Sequence, residues 1–81
     1  MAWFEVWVED KHSILDTMVR NLQADLEAGY DIHGNSATRQ SREISEYKAQ
    51  FDQEFSRLME MDERKAERWC HMDLIRRGAI A

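Results

Sequence analysis

The chain has no proline and only three glycines, so little in it stops a helix once one has started. It has one cysteine, Cys70, with no second thiol to pair with inside the chain. No stretch approaches the roughly 18 apolar residues of a membrane span. Glu5, Glu9 and Asp10 interrupt the one apolar run near the start, so no signal peptide is expected. The expected setting is a soluble, cytoplasmic protein with a reduced thiol.

Site chemistry is equally sparse. The three histidines, His12, His33 and His71, fall in no HExxH or CxxC frame. Asp31 and His33 offer two ligands without a third, and adjacent helical positions such as Cys70 and His71 point about 100° apart. Gly29 and Gly34 follow no strong strand and make no phosphate cradle. No residue is nominated as catalytic, cofactor-binding or metal-ligating, no cofactor is expected, and the chain does not read as an enzyme.

A net charge of −5 speaks against broad nucleic-acid binding, whose affinity comes from clustered Lys and Arg. The charge is uneven. Residues 1–40 carry three Lys or Arg against seven Asp or Glu, whereas residues 64–81 carry five against two. Arg57, Arg64, Lys65, Arg68, Arg76 and Arg77 make the C-terminal end locally basic. On one continuous helix, Arg57, Arg64 and Arg68 share a side. Glu60, Glu63 and Glu67 are interleaved with them, and Glu60–Arg64 and Asp73–Arg77 have i, i+4 spacing, as on a solvated, salt-bridged face.

What the sequence does have is helical rhythm. From Ile44 through Tyr47, Phe51 and Phe55 to Leu58, apolar residues recur every three or four positions, and the rhythm resumes at Ala66 with Trp69, Cys70 and Leu74. The expected helix 37–60 is followed by Asp62 where the stripe calls for an apolar residue. Either Asp62 caps a separate helix, 62–77, or one long helix bends there. Gly78 follows Arg76 and Arg77 as an ordinary stop. Upstream, Leu15, Met18, Val19, Leu22 and Leu26 mark a helix over 11–28, with Asp10 or Ser13 as its cap and Gly29 as its stop. The 29–36 loop is short, which predicts an antiparallel helical hairpin.

Residues 2–8 are aromatic and β-branched, which favours a short strand or extended arm. A strand there has no partner in the chain and would pair with another copy or lie over the helices. A helix also fits, since Phe4, Val8, Leu15 and Leu22 then continue one stripe. The fold class is thus mainly α, in a single small domain spanning 1–81: a hairpin, a third helical segment and an N-terminal strand or arm.

Three tryptophans in 81 residues are many, and a small core has no room for all of them. Trp3, Phe4, Trp7 and Trp69 are the interface candidates. The expected function is a non-enzymatic protein–protein interaction or adaptor module, self-associating as a homodimer or binding another protein, with no membrane contact. The alternative is a nucleic-acid-associated regulator using the basic end, or an acidic decoy for a DNA-binding protein. In size and composition the chain resembles the small accessory proteins encoded on bacterial mobile elements, a resemblance carried by no motif.

Overall fold

A computed structural model describes residues 2–29 and 35–80, except for the side chains of Asn35 and Ser36. Tyr30, Asp31, His33 and Gly34 of the expected 29–36 loop lie outside the described residues. Three helices account for nearly all the rest: α1 (Trp3–Glu27), α2 (Asn35–Glu60) and α3 (Glu63–Arg76).

The N-terminal strand is not formed. Residues 3–8 are the first turns of α1, and Asp10 and Ser13 lie inside that helix, not at its start. The reason is burial on a helical period. Trp3, Phe4, Trp7 and Lys11 recur every three or four residues, so one face meets two other helices. A lone strand would leave its backbone groups unpaired. Ala2 at the N-cap has no side-chain oxygen, and the cap comes from elsewhere. Glu67 of α3 accepts from Trp3 N–H at 2.6 Å and Phe4 N–H at 2.9 Å. Its carboxylate also meets the positive end of the α1 dipole. The first turn of α1 is therefore secured by a residue far away in sequence, which a local reading does not register.

α1 and α2 run in opposite senses. Phe4 meets Phe55 with ring centroids 5.5 Å apart, Trp7 meets Phe51 at 5.4 Å, and Gln40 donates to Asp25 at 2.8 Å. The chain then turns back at Met61 and Asp62. α3 runs with α1: Glu67 lies by Trp3 and Phe4, Asp73 by Trp7, and Arg77 by Asp10. α3 is 14 residues long against 25 for α1, so it covers only the first half of α1.

The core sits at that covered end. Trp7, Phe51, Leu58, Ala66, Cys70 and Leu74 form it, with Phe4, Phe55, Trp69 and Ile80 packed around. Beyond it α1 and α2 continue as a two-helix extension, giving a body 49 Å long and 25 Å across.

α3 ends in a Schellman arrangement. Ala79 N–H donates to the Leu74 carbonyl at 2.9 Å and Gly78 N–H to Ile75 at 3.0 Å, with Gly78 at φ +74°. A Cβ there would meet open space, so only the backbone conformation opposes a side chain. Gly78→Ala should lower stability by about 1 kcal/mol, read as a shifted urea midpoint with unchanged slope.

Candidate functional site

Trp7 is the most enclosed large side chain, with no exposed surface. Its ring lies 5.4 Å from Phe51, 6.4 Å from Phe4 and edge-on to Trp69 at 5.7 Å. A buried indole N–H needs an acceptor. Asp73, itself only 4% exposed, accepts it at 3.0 Å. Arg76 also donates to Asp73, and Arg77 donates to it at 2.8 Å and to Asp10 at 2.7 Å. Burial alone would push the Asp73 carboxyl up. Hydrogen bonds from Arg77, Arg76 and Trp7 outweigh it and hold the pKa below the ordinary 3.8. The expected Asp73–Arg77 surface pair is thus one edge of a buried network, because Asp73 faces α1 and not water.

One turn along α1, Lys11 is also buried. Its ammonium lies 5.6 Å from the centre of the Trp7 ring, 5.0 Å from that of Tyr47 and 3.4 Å from Glu54 Oε1. The Glu54 approach lacks hydrogen-bond geometry. Glu54 Oε1 and the Tyr47 hydroxyl are buried without a hydrogen-bond partner. The sequence signal for Lys11 was its place one turn after Trp7 on the apolar face. A strand over 2–8 followed by a helix over 11–28 divides Trp7 from Lys11, whereas the continuous α1 puts them on one face.

The four aromatic interface candidates fare differently. Trp7 has no surface left to offer a partner. Trp3 is half-buried and stacks on His71 at 4.1 Å, Trp69 is half-buried beside Trp7, and Phe4 is half-buried against Phe55. The structure therefore gathers all four at one end, mainly as core and core lining.

The basic residues do not form the stripe expected of one helix. The turn at Met61 and Asp62 puts Arg57 on α2 and Arg64, Lys65 and Arg68 on α3, and it separates Glu60 from Arg64. Arg76 and Arg77 are held by Asp73.

Cys70 is fully buried, while its neighbour His71 turns to Trp3, so the two do not act together. Burial, then the charges of Glu67 and Asp73, pushes the thiol from 9.0 up to about 11. Asp31 and His33 lie outside the described residues. Among the described residues, no group of three or more His, Cys, Asp or Glu could hold a metal, and no helix is long and apolar enough to cross a membrane.

The remaining candidate surface is the extension. In α1 no residue after Lys11 is buried, and in α2 no described side chain before Phe51 is buried. Yet the apolar stripe continues there. Ile14, Leu15, Met18, Leu22 and Ile44 are half-covered, Val19 is 38% exposed and Leu26 is 51% exposed. No protein-family model, curated protein or solved structure matches the chain.

Two outcomes follow from the buried network. Asp73→Ala orphans the Trp7 N–H, while both arginines can turn to water, so the loss should be about 2–3 kcal/mol in urea unfolding. The folded pKa of Asp73 lies below its unfolded value, so its contribution is complete above about pH 3.8 and fades as pH falls through the folded value. An acid series of urea midpoints should show this fall, and Asp73→Asn should flatten it. Separately, Cys70 should resist a thiol reagent at pH 8 in the folded chain, where only about one thiol in a thousand is ionised, and react fully in denaturant.

Proposed function

We infer that the chain is a small non-enzymatic interaction protein that works as a homodimer, with the α1–α2 extension as its contact face. The observation that supports this is the uncovered apolar stripe beyond Lys11 and before Phe51. Two antiparallel helices with a half-covered stripe are half of a four-helix bundle. A second copy brings the same stripe, and a twofold arrangement makes the face self-complementary. At the aromatic end, by contrast, Trp7 is enclosed by its own core.

The size of the face sets the strength expected. The sixteen α1 residues from His12 to Glu27 span about 24 Å, and two adjacent helices are about 20 Å wide. That footprint of roughly 500 Å² falls short of the about 800 Å² per partner of a standard interface. The dimer is expected to dissociate on dilution. Its apolar character makes it insensitive to salt.

Light scattering over roughly a hundredfold range of concentration, at two salt levels, tests this. The mass should rise from monomer to dimer with concentration at both salts. Leu22→Glu should stay monomeric while keeping the near-ultraviolet signature of buried Trp7, whereas Met72→Glu on exposed α3 should dimerise as before. A monomer at every concentration, or equal effects of the two variants, would contradict the reading.

A further inference from the structure

At the other end of the molecule, the start of α1, the end of α2 and the start of α3 enclose an open hollow of about 280 Å³. A second hollow, of about 320 Å³, continues it along α1, with Phe4 and Glu5 shared between them. Together they form a groove running from Ala2 to Glu9, about 10 Å or two helical turns long. Its apolar floor and walls are Phe4, Val8, Phe55, Met59 and Met61. Met59 is 64% exposed, although it sits beside this apolar surface.

The rim has one sign of charge. Glu5 and Glu9 stand on the α1 side and Glu63 on the α3 side, all exposed, and no Lys or Arg lines either hollow. Glu67 also borders the groove but is committed to capping α1. Three free carboxylates around an apolar trough repel another acidic surface and attract cations. Methionine side chains are flexible and polarisable, so they adapt to varied apolar anchors. The trough is open along its length, which suits a segment laid into it and not an enclosed small molecule.

We propose that this groove docks a basic amphipathic helix of another protein. Leu-like anchors spaced i, i+3/i+4 and i+7 fill the trough between Phe4 and Met59, and Lys or Arg beside them meet Glu5, Glu9 and Glu63. The groove is separate from the α1–α2 extension, so a dimer presents two of them and can bridge two partner helices.

The probe is a fluorescent eighteen-residue peptide of Leu and Lys, with Leu at i, i+3, i+4 and i+7 spacing. Binding is followed by anisotropy with wild type and with the Leu22→Glu background, which keeps failure of self-association apart from failure of docking. Both should bind the peptide. Met59→Ser, at an exposed position, should weaken binding about fivefold. The triple change Glu5→Gln, Glu9→Gln and Glu63→Gln should weaken it about tenfold more than a control triple, Asp16→Asn, Glu27→Gln and Glu46→Gln, which removes equal charge elsewhere. No binding, equal loss in the two triples, or an indifferent Met59→Ser would overturn the proposal. A Met59→Ser variant that changes solution mass would assign the groove to a second copy and overturn it as well.

Discussion

The hydrogen bond from the Trp7 indole to the buried Asp73 carboxylate is the contact on which the arrangement depends. An indole that fills the centre of three helices must place its N–H somewhere, and a carboxylate out of water must be paired. Each solves the other's problem, and Arg76 and Arg77 supply the compensating charge. Apolar burial is non-directional, whereas hydrogen bonds require a set distance and angle. The polar contacts fix one register: Glu67 on the first turn of α1, Asp73 on Trp7, and Arg77 on Asp10. Lys11 between Trp7 and Tyr47 extends the same device towards α2.

Because these contacts all fall within the first half of α1, stability is unevenly distributed. One end is a three-helix core around Trp7. The other is a pair of helices whose apolar stripe is covered on one side only. A chain of 81 residues has little surface to spare, and this one has concentrated its core instead of spreading it. The uncovered half, and the acidic groove at the opposite end, are where a partner has something to gain.

The helical character was legible because it rests on period: Ile44 to Leu58 and Ala66 to Leu74 each keep a helical spacing, on α2 and on α3. The start of α1 was not. Val6, Trp7 and Val8 prefer strands by composition, and what overrules that preference is tertiary: Glu67, more than sixty residues away, caps the helix, and α2 and α3 bury its face. Asp73 was misread for a related reason. Its i, i+4 spacing to Arg77 describes a surface pair equally well, and only the approach of Trp7 makes it a buried one. The basic stripe failed because it carried one helical phase across a turn at Met61 and Asp62. The acidic groove joins residues from three helices, so no window of sequence contains it.

Trp7 and its partners hold one end, and under the proposed dimer the extension gains protection from association. Residue-resolved hydrogen exchange at two protein concentrations tests this most directly. The Trp7 indole proton and the amides around it should exchange only through global unfolding at both concentrations. The amides of α1 after Met18 should exchange through local opening in dilute solution and gain protection when concentrated. An extension as well protected as Trp7 in dilute solution would contradict the account.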